Sequence, residues 1–350
     1  MTQARSPEEL TRDQSPSAAG GHLLEVENLH VEFRTDYGIV NAVNGISYTL
    51  DPRETLAILG ESGSGKSVSA QAIMGIIDTP PGFVTQGSIR FNGADLLKVD
   101  ESERRKVRGK EISMIFQDAL TSLNPVFSVG NQIGEMFRVH QGMSKGDAKK
   151  KAVELMDRVR IPLAKERAGD YPHQFSGGMR QRVMIAMALS LDPKILIADE
   201  PTTALDVTVQ AQIMDLLAEL QKDTGMGLIL ITHDLGVVAD VSDRLAVMYA
   251  GKIVEMGSVY DVYGNPAHPY TEGLLASIPR VDQKGENLDP IKGAPPNLMR
   301  IPPGCSFHPR CPYAREVCTK EVPPLYEVPG GRLSACHFWE EVIATEGART

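Results

Sequence analysis

Long apolar runs are missing from this chain. No stretch approaches the ~18 consecutive apolar residues that a helix needs to cross a bilayer, so the sequence predicts no membrane span. Cysteine is scarce: there are four in 350 residues, all between 305 and 336. That clustering excludes a disulfide framework running through the whole chain. Long basic blocks are absent too, and the net charge is −9. The short clusters Arg104-Arg105-Lys106 and Lys149-Lys150-Lys151 read as solvated helix faces, not as stripes for nucleic acid. Residues 1–21 carry Ser, Pro, Gln, Ala and Gly without periodicity and read as disordered. They lack the apolar region of a secretory signal. These absences predict a cytosolic chain, or one held at a membrane by partners.

One stretch organises what is present. Gly60-Glu-Ser-Gly-Ser-Gly-Lys-Ser67 fits the phosphate-binding loop G-x-x-x-x-G-K-[ST]. It follows the apolar run Glu54–Leu59 and precedes Val68–Met74, which reads as a helix. Strand, glycine turn and helix start are the context the motif requires. Gly60, Gly63 and Gly65 let the backbone bend around a phosphate and aim its N–H groups inward. The helix adds its positive dipole end. Lys66 brings a charge to the β- and γ-phosphates, and Ser67 offers a hydroxyl to Mg²⁺.

Around this loop the chain reads as one large α/β domain with an appendage. Alternation from Leu23 to Phe33 predicts a strand. Tyr37 falls in a turn-like Thr-Asp-Tyr-Gly, and Asn44-Gly45 is a second turn signal before a strand over Ile46–Leu50. This predicts an antiparallel β start. Gly87–Gly93 reads as a short strand, and so does Ile112–Phe116, which runs into Gln117. Residues 129–160 look helical. Phe175-Ser-Gly-Gly178 precedes a strong helix pattern over Met179–Leu189, with Ser176 as its cap and an anion-ready start. Ile195–Ala198 is a buried strand that ends in Asp199-Glu200. Two adjacent carboxylates closing an apolar strand are costly unless a cation faces them, and Mg²⁺ on a nucleotide is the natural candidate. A helix ends at Gly225, the strand Leu228–Ile231 leads to His233, and a strand pair surrounds Ala250-Gly251. Ligands of open α/β sheets bind at the carboxyl ends of strands, which favours a functional His233. A helix over Thr271–Ser277, a Pro- and Gly-rich linker over Ile278–Gly304 and a cysteine-bearing tail complete the chain.

Taken together, these motifs resemble an ATP-binding-cassette (ABC) ATPase over residues 23–258. Gly60–Ser67 matches the Walker A loop, Gln117 the Q-loop, Phe175–Met179 the signature, Ile195–Glu200 the Walker B strand, Ala204-Leu-Asp206 the D-loop, and His233 the switch histidine. The implied fold is a P-loop cassette with a mixed central sheet, an antiparallel β subdomain and a helical signature subdomain. The resemblance implies ATP and Mg²⁺. Nucleotide contacts would come from Tyr37, Gly60, Ser62, Gly63, Gly65, Lys66, Ser67, Ser176, Gly177, Gly178 and Asp206. Ser67, Gln117 and Asp199 would hold Mg²⁺, and Glu200, His233 and Gln117 would be catalytic.

His268-Pro269-Tyr270 and the tail resemble a narrower group, the ATP-binding subunits of oligopeptide/dipeptide importers. That likeness implies three segments: a disordered start (1–21), a nucleotide-binding domain (22–258) and a C-terminal extension (259–350). It also implies peptide import powered from the cytoplasmic side of the inner membrane, with two permease subunits and an external solute-binding protein. Phe175 and Met179 depart from the common Leu-Ser-Gly-Gly-Gln signature, which implies a second, different ATPase subunit in a heterodimer. A soluble cassette ATPase of DNA repair or translation remains an alternative. So does an importer of another solute, such as a nickel chelate.

The cysteine spacing, C-x₅-C-x₆-C-x₁₇-C, matches neither common zinc knuckles nor ferredoxin runs. The resemblance tips the reading towards a structural 4Fe–4S cluster on Cys305, Cys311, Cys318 and Cys336, with Zn²⁺ as the alternative.

Overall fold

The computed structural model describes residues 21–203, 205–277 and 291–347. Residues 1–20 of the N-terminal stretch, Ala204 of the D-loop match and residues 278–290 of the linker lie outside the described residues. The chain divides into two units. One joins the residues up to 98 with those from 232 onward, and the other holds residues 99–231.

In the first unit, β1 (Leu24–Thr35) and β2 (Gly38–Leu50) form an antiparallel hairpin turning at Asp36-Tyr37. Leu24, Val26, Leu29 and Val31 are buried, and the expected alternation places them on the core face. Asn44-Gly45 is not a turn. It lies inside β2, where Gly45 takes a φ of +80° beside Asn28. Register shifts between Val26 and His30 absorb the irregularity as a bulge, so pairing wins over local turn propensity. β3 (Thr55–Leu59) is buried throughout, and the phosphate-binding loop leads into α1 (Lys66–Met74). β4 (Gly82–Phe91) and β5 (Ala94–Asp95) complete the antiparallel sheet, in the order β2-β1-β4-β5.

The second unit holds three parallel strands, β6 (Ile112–Ile115), β7 (Ile195–Asp199) and β8 (Gly227–Ile231), with β7 in the middle. Every residue of the three is buried. That explains why they read as continuous apolar runs and not as alternation. The helical stretch expected over 129–160 is two helices, α2 (Val129–Gln141) and α3 (Lys145–Arg158). Gly142 ends the first in a left-handed conformation, and the Ser144 hydroxyl caps the second by accepting from Asp147 N. α4 (Gly177–Leu189) and α5 (Val207–Thr224) flank β7 in sequence. The basic clusters sit on exposed helix faces, as expected. Lys106, Lys150 and Lys151 pair with Glu103, Asp147 and Glu154 of their own helices.

Back in the first unit, α6 (Leu235–Val241) precedes β9 (Arg244–Tyr249), which runs parallel to β3. β9 turns at Ala250-Gly251 into β10 (Lys252–Ser258). α7 (Val259–Gly264) and α8 (Pro269–Ala276) follow. The tail builds more than its composition predicts. β11 (Tyr326–Val328) and β12 (Arg332–Ser334) form a hairpin, and β12 pairs antiparallel with β10. α9 (Trp339–Gly347) comes last. Phe307 and Tyr270 pack on Tyr249 in one apolar cluster with Leu59 and Val247, so the tail shares its core with β3 and β9.

Candidate active site

The glycines of the phosphate-binding loop are required by space as well as by conformation. A Cβ on Gly65 would sit 2.2 Å from the Ala42 carbonyl oxygen, at a φ of +101°. One on Gly60 would meet the Met248 carbonyl at 2.2 Å. β2 and β9 thus press against the loop from outside. Gly65 stands at the N-cap of α1 and supplies no side-chain cap to the helix start. Lys66 is 5% exposed, and its Nζ donates to the carbonyls of Gly60 (2.8 Å) and Glu61 (3.1 Å). Its ammonium is therefore held within the arc of the loop. Ser62 and Gly63 are exposed, and Ser67 is half-buried. Thr232 N donates to Ile58 O at 3.3 Å, which draws the segment carrying His233 alongside β3. His233 is exposed, and Asp234 behind it caps α6. Tyr37 stands at the β1–β2 turn with 91% of its surface exposed, so its ring packs on little of the protein.

In the second unit, the end of β7 carries the two carboxylates. Asp199 is buried, and Glu200 is half-buried with a left-handed φ of +46°. Such backbone costs a non-glycine residue of order 1–3 kcal/mol and tends to persist where function holds it. Here Glu200 N donates to Ile231 O at 2.8 Å. The carboxylate is oriented as well: its Oε2 accepts from Gln117 Nε2 at 2.8 Å and from Thr203 Oγ1 at 2.9 Å. Sequence reasoning brought Gln117 and Glu200 to one chemistry and the structure joins them directly, but it missed Thr203. The adjacent threonines after the carboxylates were the available signal.

Ser176 caps α4 by accepting from Met179 N at 3.4 Å. A Cβ on Gly178 would meet Val209 at 2.6 Å, which explains the second glycine of the pair by packing of α4 on α5. Met179 fills the position where the common signature has Gln. Its sulfur accepts from Arg167, whose guanidinium also lies over the Phe175 ring. Both departures from the signature therefore meet one arginine. Asp206 accepts from Val209 N at 3.0 Å and caps α5.

The four cysteines all lie in the tail. None of the four is in a disulfide; Cys318 and Cys336 are buried, Cys305 and Cys311 half-buried. Burial pushes Cys311 and Cys336 up to about 12, and neighbouring thiols push the same way. Yet among the described residues no group of three or more His, Cys, Asp or Glu is placed to hold a metal ion. A backbone contact ties the segment, with Cys305 N donating to Cys318 O at 2.8 Å.

A P-loop between a buried strand and a helix, with a carboxylate pair closing a second buried strand, defines a P-loop nucleotide hydrolase. Comparison with known proteins narrows this. Residues 43–203 match the ABC transporter family model, and residues 254–318 match that of the oligopeptide/dipeptide transporter C-terminal region. The oligopeptide transport ATP-binding protein OppD of Bacillus subtilis is 55% identical over 307 residues, covering 87% of this chain and 86% of that protein. Its namesake in Salmonella typhimurium is 53% identical, covering 93% and 96%. Among solved structures, a dimeric post-hydrolysis state of an ATP-binding cassette bound to ADP and Pi superposes with a TM-score of 0.60 at 28% identity. It covers 67% of this chain and 98% of that one. CbiO1 of Clostridium perfringens, part of an ABC transporter complex, gives 0.59 at 30% identity over 69% and 90%. The chain belongs to the ABC transporter ATPases, in the branch that carries the oligopeptide/dipeptide C-terminal region. Among its described residues no helix is long and apolar enough to cross a membrane.

Proposed function

We propose that this chain hydrolyses ATP to power import of di- and oligopeptides through a membrane ABC transporter. The observation that carries the ATPase reading is Glu200, held by Gln117 and Thr203 at the end of a buried strand. The near-full-length likeness to oligopeptide transport ATP-binding proteins supports the substrate class.

In this reading the loop N–H groups of Gly60, Ser62, Gly63 and Gly65 cradle the phosphates. Lys66 exchanges its carbonyl partners for phosphate oxygens. Ser67 and Asp199, with Gln117, are the residues whose oxygens suit Mg²⁺, which neutralises phosphate charge when bound. Glu200 takes the proton of the attacking water as general base, and His233 contacts the terminal phosphate. The exposed ring of Tyr37 stacks on adenine. Ser176, Gly177 and Gly178 cap the nucleotide of a second ATPase subunit, with Asp206 at the same junction. That subunit is a different cassette chain, because Met179 removes the amide that Gln would offer. Two permease subunits hold the pair at the cytoplasmic face of the membrane, and an external binding protein delivers the solute. No nucleic acid takes part.

The test is co-purification with the permease subunits and the second ATPase. The isolated chain is expected to be a weak ATPase, and peptide-loaded binding protein should stimulate the assembled complex. A fully active monomer whose specific activity ignores concentration would overturn the two-subunit site. Stimulation by another solute but not by peptide would overturn the substrate.

Cys305, Cys311, Cys318 and Cys336 would hold a structural 4Fe–4S cluster, with Zn²⁺ as the alternative, once the four thiols close up on it. Anaerobically purified protein should then contain about four iron and four sulfide, and Cys311→Ser should lose them while ATP binding survives. Protein without iron or sulfide would end that reading.

A further inference from the structure

The second residue of the phosphate-binding loop is an acid. Glu61 places a carboxylate in a loop whose ligand is a polyphosphate, which by itself works against binding. The structure answers it from the tail. Arg310 follows Phe307 in a short turn, and its side chain is 5% exposed. Its guanidinium forks onto Glu61, with one terminal nitrogen 2.6 Å from Oε2 and the other 3.0 Å from Oε1. This bidentate geometry is the strong form of the arginine–carboxylate pair. The remaining donors are used as well: Nε reaches Lys292 O at 3.1 Å, and Tyr249 Oη lies 3.4 Å away. The pair with Glu61 raises the pKa of Arg310 further, so the charge is permanent.

Glu61 is held at two more points. Its N–H donates to the Tyr270 hydroxyl at 2.8 Å, and its carbonyl accepts from Lys66 Nζ. Tyr270 in turn packs on Tyr249 and Phe307. The loop is thus gripped by two residues, Tyr270 and Arg310, that both lie beyond residue 258.

We propose that Arg310 is a positioning residue for ATP binding: through its fork on Glu61 it fixes the start of the phosphate-binding loop and cancels a carboxylate charge beside the bound phosphates. The C-terminal region thereby sets the nucleotide affinity of the cassette. This rests on the reading of Gly60–Ser67 as the ATP site.

The experiment is equilibrium titration of the full chain with Mg-ATP, alongside thermal unfolding of each variant. Arg310→Met should weaken binding roughly ten-fold at low salt, the scale of one uncompensated charge near the ligand. The loss should shrink as salt screens it. Arg310→Lys keeps the charge but not the fork, and should fall between the two. Adding Glu61→Gln to Arg310→Met should recover most of the lost affinity, because the repelling charge is gone. A merely structural arginine would instead lower the melting temperature without that rescue or that salt dependence, and such a result overturns the proposal. Should Arg310→Met not fold, Arg310→Gln gives the same comparison with and without Glu61→Gln. If the unaltered chain binds no Mg-ATP, the reading of the loop itself fails. If it binds and Arg310→Met binds equally well, only the role of Arg310 fails.

Discussion

Glu200→Gln is expected to leave ATP binding intact and to cut turnover by about 10²–10⁴-fold, the range of a positioned general base. The substitution keeps the shape of the side chain and removes its basicity. In the native chain the carboxylate receives two donors on one oxygen, from Gln117 and Thr203. Together they fix the orientation of the carboxylate. The left-handed backbone at Glu200 belongs to the same arrangement, since it turns the side chain out of the strand just as β7 ends. The measurement is steady-state hydrolysis in the assembled transporter beside nucleotide binding to the same variant. Near-normal turnover would remove Glu200 from the role or assign the work to the partner's site.

The second large effect concerns folding. Glu255 in β10 is fully buried, and Arg332 in β12 is almost so, with 3.7 Å between them. Arg332 also serves as a clip. It donates to the carbonyls of Asp261, Asn265 and Pro329, and its stem lies on Gly257, where a Cβ would come within 2.4 Å. Glu255 accepts from the N–H groups of Ala267 and His268 at 2.7 and 3.0 Å. Removing one partner of a buried pair strands the other's charge, so Arg332→Met should cost about 3 kcal/mol in denaturant unfolding. That is the low end of the usual range, because Glu255 can take up a proton. Burial already pushes its carboxyl up from 4.5 to about 7, against the donors and Arg332. A carboxyl with a raised folded-state value contributes most below the unfolded value and loses that contribution as pH rises through the folded one. Relative to Glu255→Gln, the native chain should therefore lose stability between about pH 4.5 and pH 7. Parallel stability curves for the two proteins over that window would contradict the assignment. Adding Glu255→Gln to Arg332→Met should recover part of the loss.

The parts of the site that the sequence announces are those whose chemistry is local. A P-loop declares itself because strand, glycines, lysine and helix must be contiguous. Asp199-Glu200 does so because two carboxylates at the end of an apolar run demand a cation to offset them. The parts that stayed hidden depend on distant pairing. Nothing near Arg310 marks it as the partner of Glu61, 249 residues earlier in the chain. Asn44-Gly45 carries a strong turn signal, yet pairing of β2 with β1 overrides it and turns it into a bulge. The tail reads as core-poor because its hydrophobic partners, Tyr249 and Val254 among them, belong to earlier strands. Composition within a segment does not reveal what it will pack against.

Pairing of the tail with earlier strands also limits how far the ATPase can be shortened. β12 lies along the outer side of β10, with Glu255 and Met256 opposite Ser334 and Leu333. β11, only Tyr326–Val328, lies outside β12. The run of strands in this unit, β3-β9-β10-β12-β11, therefore finishes on a strand too brief to recruit another chain. A truncation at residue 258 would strip that cover. It would expose the backbone donors and acceptors of an apolar strand, Lys252–Ser258, as a template for intermolecular pairing. It would also uncover the buried Glu255 carboxylate. A cassette cut there is thus expected to self-associate, although every nucleotide motif remains in it. In this chain the appendage is expected to guard solubility, and a gene fragment lacking it would not make a usable smaller enzyme.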